Sequence, residues 1–239
     1  MLRVGVSLFS FGFIKLPAFN MFLKFCIKQM RKYKIQYFEL PIWDTFSIED
    51  AKQINKLLNT NVKCYSIHFP KQNSARDLLQ KSSLLEGVIA LRPSVAVFHP
   101  QKVSDLNEDF FKLSRFLENI ECKLSVEFIA YNISLQKDFK KIDESVAITL
   151  DFYHCVNAGF SVEKIIERFS SSIVHVHLND FSETLGKSLC PGEGELPIIS
   201  YINMLQEQNY EGIYMLECKF ESAAHFQKIM NAICDDVEL

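Results

Sequence analysis

Carboxylate and imidazole side chains recur at one kind of place in this chain. Glu39, His68, His99, Glu127, Asp151, His177 and Glu217 each stand at or near the end of a short apolar run, and two close spacings accompany them, Asp151-Phe-Tyr-His154 and His175-Val-His177. A single His or Glu in such a place is ordinarily a hydrogen-bonded structural group. Several gathered in one pocket would repel one another and lose hydration, and a divalent cation is the usual remedy. Metal binding is therefore the chemistry this set points to. Mixed carboxylate and imidazole donors suit manganese, zinc, cobalt or iron. The expected cofactor is one divalent ion, manganese or zinc foremost, with donors to spare for a second.

The spacings sharpen the assignment. Period two in a strand turns His175 and His177 to the same side, one layer apart, so only the layer nearer the open end reaches a shared metal. His177 is read as the ligand and His175 as a core histidine. Asp151 and His154, in a strand-to-helix loop, are spaced to lie over one pocket. Gly192-Glu193-Gly194 permits a tight turn that carries Glu193 back toward that pocket. Trp43, the only tryptophan, falls in the loop after the second run, where it either covers a ligand or packs on a helix.

These residues need a frame to position them. Apolar, β-branched or aromatic runs at 3–8, 36–40, 62–67, 95–98, 123–128, 147–150, 173–178 and 213–216 are eight candidate strands. Helical patterns lie between them, with starts at Ser47 and Asp50 (a capping box), at Asp105 ahead of Leu106, and at Ser161. Continuous apolar strands alternating with amphipathic helices predict a parallel sheet covered by helices. The 239 residues leave about 30 per unit, near the minimum for a strand, a helix and two loops. The expected fold is α/β, a (β/α)8 TIM barrel, as a single domain over 1–239. The competing open doubly wound sheet usually carries Gly-x-Gly-x-x-Gly after its first strand, and residues 10–13 hold only Gly12. In a barrel, all strand ends open on one mouth, so the polar residues converge there.

Composition excludes several classes. With 48% hydrophobic and 23% charged residues, the chain is not collagen, coiled coil or disordered. A net charge of -3 gives no global field to draw a polyanion. The seven cysteines, odd in number and never in a Cys-x-x-Cys spacing, predict reduced thiols and a cytoplasmic location. Arg3 ahead of an uncharged run at 4–14 imitates a secretion signal, but no small-residue cleavage site follows and Lys15 interrupts the run, which reads as a buried first strand. No stretch approaches the roughly 18 apolar residues a membrane span requires, so no membrane partner is expected. Oligomeric state stays open, a homo-oligomer included.

Glu127, Leu150-Asp151-Phe-Tyr-His154, His175-Val-His177-Leu-Asn-Asp180, Gly192-Glu193-Gly194 and Met215-Leu216-Glu217 together resemble the xylose isomerase-like barrel superfamily, over essentially the whole chain. That superfamily holds metal-dependent sugar isomerases and epimerases, inosose dehydratases, and the zinc abasic-site endonucleases related to endonuclease IV. Similarity to the ketose epimerases implies a metal held by Glu127, Asp151, His177 and Glu217. It also implies that Glu127 and Glu217 act as the acid/base pair, one removing a proton beside the carbonyl of a small sugar, sugar phosphate or polyol and the other returning it. The metal would stabilise the enediolate as a Lewis acid, and His154 would orient substrate hydroxyls.

The endonuclease branch makes a competing claim. His68 and Phe98-His99-Pro100 sit where its further zinc histidines would be, and His177-Leu-Asn-Asp180 also resembles it. Its third zinc, however, needs an Asp-x-His pair just before the Gly-Glu-Gly turn, where this chain has Gly186-Lys187-Ser188. None of the six arginines falls in the motifs, although DNA binding asks for many phosphate contacts. DNA is the disfavoured partner and a small sugar or polyol the favoured one. His68 and His99 then serve a second metal, hydrogen-bond the sugar, or fill the pocket. Lys71, Lys102, Lys187 and Lys219 fall in mouth-side loops and would suffice for one phosphate, though each taken singly reads as a solvated surface lysine. Two departures from the sugar branch stand out: Phe128 follows Glu127 in place of a polar residue, and Glu183 lies where some ketose epimerases carry an arginine. A third reading is a non-catalytic barrel that kept the fold and lost the chemistry.

Overall fold

The computed structural model describes residues 2–11, 19–58, 61–127, 142–185 and 188–236. Each of the eight apolar runs forms a strand: β1 (Val4–Ser7), β2 (Tyr37–Pro41), β3 (Lys63–His68), β4 (Val95–Phe98), β5 (Lys123–Glu127), β6 (Ile148–Asp151), β7 (Ile173–Leu178) and β8 (Tyr214–Leu216). Every strand pairs in parallel with the next, and β8 returns to β1, which closes the barrel and excludes the open sheet. The helices between them are α1 (Phe19–Lys32), α2 (Ile48–Leu57), α3 (Ala75–Gln80), α4 (Ser82–Leu91), α5 (Glu108–Glu118), α6 (Phe152–Asn157), α7 (Val162–Phe169), α8 (Ile198–Glu207) and α9 (Ala223–Asp236). Gly12, Lys15, Phe128, Gly186 and Lys187 lie outside the described residues. Among the described residues, no helix is long and apolar enough to cross a membrane.

Local chemistry sets the helix starts. Ser47 and Asp50 form the reciprocal box that opens α2, and the Ser161 hydroxyl accepts from the Lys164 amide to open α7. The start expected at Asp105 is corrected. Its carboxylate accepts from the Gln101 and Lys102 amides and closes a short 3-10 turn, so the cap of α5 falls to Asn107, whose side chain accepts from the Asp109 and Phe110 amides.

The barrel divides apolar from polar by strand alternation. Val6, Phe38, Leu40, Ile67, Leu124, Val126, Leu150 and Val176 are buried with helix residues such as Leu23, Ile54, Leu113, Ile165 and Leu205 in one continuous core. Ser7, Glu39, Ser66, Ser125, Glu127, Thr149, His175 and His177 occupy the alternate positions and are equally buried. Barrel interiors are ordinarily filled by branched aliphatics; this one carries a polar layer whose groups pair in part, while the Ser7 hydroxyl and the Nδ1 atoms of His68, His99 and His175 have no hydrogen-bond partner among the described residues. The Ser66 hydroxyl donates to Glu39 Oε2 at 2.9 Å, and the Ser125 and Thr149 hydroxyls lie 2.5 Å apart. Register shifts at Phe38/Glu39 against β3 and at Ile148/Thr149 against β7 flank this polar layer. Bulges of this kind re-aim side chains near functional sites.

The expectation of seven reduced thiols is also corrected. Cys190 is joined to Cys218 by a disulfide with Cα atoms 5.0 Å apart, while Cys26, Cys64, Cys122 and Cys155 are free and buried. The bond forms because barrel closure brings the β7–α8 connection beside the end of β8, a proximity that spacing along the chain does not reveal.

That connection is organised by Asp180. Its backbone pairs with Leu189 in both directions, and its carboxylate accepts from the amides of Phe181, Gly192, Gly194 and Leu196 at 2.8 to 3.0 Å. Gly192 has φ +84, and a Cβ at Gly194 would run into the Asp180 carboxylate and the Phe181 carbonyl. Gly192 is thus explained by its left-handed backbone and Gly194 by close packing against a carboxylate. Asp180→Ala should leave these amides without their acceptor and destabilise the protein by about 3 kcal/mol, read as a lower urea midpoint with an unchanged m-value.

Candidate metal centre

Successive strands deliver the central donors. Glu127 and Asp151 end β5 and β6, His177 lies in β7, and Glu217 directly follows β8; their donor atoms all fall within 4.8 Å of one another. His177 Nδ1 is 2.5 Å from Glu127 Oε1, 2.8 Å from Glu217 Oε2 and 3.6 Å from Asp151 Oδ2. A second group shares Glu127 and adds His68 and His99, with His99 Nε2 2.5 Å from Glu127 Oε2. The His68 ring stacks on those of both His99 and His177, each at 5.0 Å between centroids.

Beneath this layer lies Glu39. Sequence places it at the end of the second strand; the structure corrects that to the middle of β2, one layer deeper, beside the register shift. Glu39 Oε2 is 3.0 Å from His175 Nε2 and 3.1 Å from His177 Nε2, and Oε1 is 3.1 Å from His68 Nε2. His177 therefore presents Nε2 to a buried carboxylate below and Nδ1 to three carboxyl groups above, the arrangement by which an outer carboxylate fixes the tautomer of a metal-binding imidazole. Asn179, to which sequence reasoning gave no role, fixes Asp151 in turn. It donates to Asp151 Oδ2 at 2.6 Å and accepts from the Tyr153 amide at 2.8 Å, while Asp151 Oδ1 caps α6 through the His154 amide at 2.5 Å. The signal for Asn179 is its position two residues after His177, on the same face by strand alternation.

Electrostatics binds these groups together. Burial pushes the Glu39 carboxyl up, but His68, His177 and His175 more than reverse this and hold it well below the usual carboxylate range. Glu127 is held low in the same way: burial opposes, and His177 and His99 prevail. Burial disfavours a charged His177, yet Glu217, Glu39 and Glu127 outweigh it and raise its affinity for a proton well above the ordinary histidine value. His99 and His175 are pushed down to about 4, chiefly by burial. The centre is thus a concentrated negative field in which a proton on His177 is strongly favoured, and the same field favours a cation.

The other residues singled out from sequence fall as follows. His154 contributes its amide to the Asp151 cap; its half-buried ring lies 5.0 Å from Tyr153, outside all three central donor groups, one of which joins Glu39 to His68, His177 and Glu217, and its Nδ1 has no hydrogen-bond partner among the described residues. Trp43 packs edge-on against Phe19 and Phe46 at 5.3 Å, and it lines a mouth cavity of about 600 Å³ with Phe9, His68, Phe69 and Lys71. Lys102 and Lys219 are exposed. Glu193 does not join the central donors: its carboxylate turns to His225 Nε2 at 2.8 Å, since the Asp180 cradle fixes the turn that carries it. A cavity of about 650 Å³ at the opposite end of the barrel, against the starts of β5, β6 and β7, contains none of the central donors.

The residues present fit a divalent ion. Two glutamates, an aspartate and an imidazole within 4.8 Å are a donor set suited to manganese, zinc, cobalt or iron. Burying that many carboxyl groups together is costly without a compensating cation.

Comparisons with known proteins agree with this architecture. The family described as a xylose isomerase-like TIM barrel matches residues 103–233. Protein MJ1311 of Methanocaldococcus jannaschii is 28% identical over 158 residues, 56% of this chain and 54% of that protein, so the match spans about half the length of this curated relative. Among solved structures, a D-tagatose 3-epimerase-like protein superposes with a TM-score of 0.74 at 21% identity, covering 99% of this chain and 98% of that one. The 3-keto-D-glucoside 4-epimerase YcjR from E. coli gives 0.71 at 12% identity, with 98% of both chains covered. An AP endonuclease of family 2 from Brucella melitensis gives 0.70 at 16%, covering 98% and 99%. At these identities, the structural likenesses establish the fold, and they span both sugar and DNA chemistry. With more than half of its length matched by the family, the chain belongs to the xylose isomerase-like TIM barrels.

Proposed function

We propose that this protein is a divalent-metal-dependent isomerase or epimerase of a small sugar, sugar phosphate or polyol, working through an enediolate within a single barrel domain over 1–239. The observation that carries this reading is the convergence of Glu127, Asp151, His177 and Glu217 within 4.8 Å at one end of the barrel. The ion, manganese or zinc, is held by these four. When bound, it supplies the Lewis acidity that a weakly acidic proton beside a carbonyl requires.

The chain's own residues do the rest. Glu217, 20% exposed, is reachable from the mouth, whereas Glu127 is buried. Glu217 takes the proton from the substrate carbon, and Glu127, kept ionised by His177 and His99, serves as its partner in returning one. Glu39 holds His177 in the tautomer that leaves Nδ1 free toward the ion. Trp43, Phe9 and Phe69 wall the mouth cavity where the sugar's apolar face packs, His68 borders it with a polar group and His99 stands behind His68, and His154 and Lys219 are further candidates for contact with hydroxyls or a phosphate. The protein with one ion bound is the expected active form, and a cytoplasmic location suits a small-molecule substrate.

A second reading is favoured by one specific observation: His68, His99 and Glu127 form another donor group sharing a carboxylate with the first. Two ions bridged by Glu127 would suit phosphodiester hydrolysis of the abasic-site type. The net charge of -3 weighs against a DNA substrate.

Elemental analysis of the protein purified without chelators, with the Cys190–Cys218 disulfide intact, should give about one metal per chain. Asp151→Ala and His177→Ala should abolish retention, and Glu39→Gln should weaken affinity by roughly 10- to 100-fold; full metal content in His177→Ala would reject the assigned centre. With a ketose panel in deuterated water, the wild type should wash solvent deuterium into the carbon beside the carbonyl, and Glu217→Gln should show none. Incision of an abasic duplex by the zinc-loaded protein, with no exchange into any sugar, would replace this reading with the second.

A further inference from the structure

A separate set of donors lies at the edge of the barrel mouth. Cys190 comes from the β7–α8 connection, Glu193 from the Gly-Glu-Gly turn, and His225 from the first turn of α9; one ligand atom from each lies within 4.8 Å of the other two. The sulfur of Cys218, two residues beyond β8, is bonded to that of Cys190. Both cysteines are buried, at 1% and 3% exposure, while the side chains of Glu193 and His225 are 32% and 12% exposed. Two sulfurs thus sit beneath an imidazole and a carboxylate that solvent can reach. The central donor groups share no member with this set, and the chemistry proposed above uses none of it. A buried disulfide needs no polar neighbours, yet this one has a His–Glu pair against it.

We propose that Cys190, Cys218, Glu193 and His225 form a thiolate zinc site, distinct from the barrel centre, that is open in the reduced protein and closed by the disulfide. A two-sulfur, one-nitrogen, one-oxygen donor set suits a four-coordinate structural zinc and is poor for magnesium, calcium or manganese. Opening requires a dithiol reductant. It gives two electrons and two protons to the S–S bond, which breaks to leave two thiols, and the reductant becomes a disulfide. Zinc then displaces one proton from each thiol and binds both sulfurs, with an imidazole nitrogen of His225 and a Glu193 oxygen completing the set. Oxidation by a small-molecule disulfide reverses the sequence: the two thiolates give it two electrons, it leaves as two thiols with two protons from solvent, the S–S bond reforms and the ion is expelled. In either state, the Gly-Glu-Gly connection stays tied to the chain leaving β8.

The probe is cobalt. The full chain, reduced with a dithiol that is then removed under anaerobic conditions, should develop an intense near-ultraviolet sulfur-to-cobalt charge-transfer band that saturates at one equivalent, while the oxidised protein develops none. The central donor groups contain no sulfur, so this band reads the edge site alone, whatever the fate of the sugar-directed reading. Cys190→Ser and Cys218→Ser should each abolish it, and His225→Asn should weaken cobalt affinity at least tenfold with the band retained. The comparison of oxidised with reduced wild type decides the matter even where a cysteine variant fails to fold. Absence of the band in reduced wild type, or its persistence in Cys190→Ser, would overturn the proposal.

Discussion

Four carboxyl groups and four imidazoles share the dry interior of one barrel, and the rest of the structure answers to that fact. Transfer of an isolated charge into such a place costs several kcal/mol even after relaxation. Every member must therefore find an opposite charge or a strong donor. Glu39 and Glu127 do so by attracting protons onto His68 and His177, and the hydroxyls of Ser66, Ser125 and Thr149 fill positions that a branched aliphatic would occupy in an ordinary barrel. Apolar energy comes from the other side of the strands, where the aliphatic and aromatic residues meet the helices. The fold thus separates stability from chemistry by strand alternation.

The same constraint explains the layering. Only Glu217 among the central carboxylates is appreciably exposed, so the cluster has a wet end and a dry end. His177 spans the two with one nitrogen to each. Toward the mouth lie Nδ1 and three carboxyl groups, where a cation would be held, while Glu39 and His175 lie below as fixed counterparts. Outer groups of this kind hold the geometry of ligands to within the tolerance catalysis demands.

The described part of the β7–α8 connection is tied in place at the mouth. Asp180 gathers four amides, Asn179 restrains Asp151, and the Cys190–Cys218 bond links the β7–α8 connection to the end of β8 beside Glu217. These ties fall between Asp151 and Cys218, on the half of the mouth formed by β6 to β8 that carries Asp151, His177 and Glu217. The opposite half, at Trp43 and Phe69, is apolar and open. A sugar has one face of each kind, apolar C–H and polar hydroxyl, a complementarity that accompanies the donor convergence on which the functional reading rests.

Much of this was legible along the chain. The eight strands fall on the eight apolar runs within a residue or two, because the helix-facing positions of every strand are apolar, and the inward donors announce themselves by interrupting such runs. Ser47 and Ser161 cap helices by contacts three residues away, which sequence contains in full. Glu39, Asn107, Asn179 and the Cys190–Cys218 bond were not legible, each for a physical reason. The depth of Glu39 depends on a register shift against β3; the cap at Asn107 depends on Asp105 spending its carboxylate upstream; Asn179 acts on a residue of the neighbouring strand; and two cysteines 28 residues apart meet only after the barrel closes. Residue types and order thus specified which donors the protein owns and that they share a mouth. Which nitrogen faces which carboxylate, and which donors stand apart at the edge, was decided by strand register and closure, because those are long-range properties that no local spacing encodes.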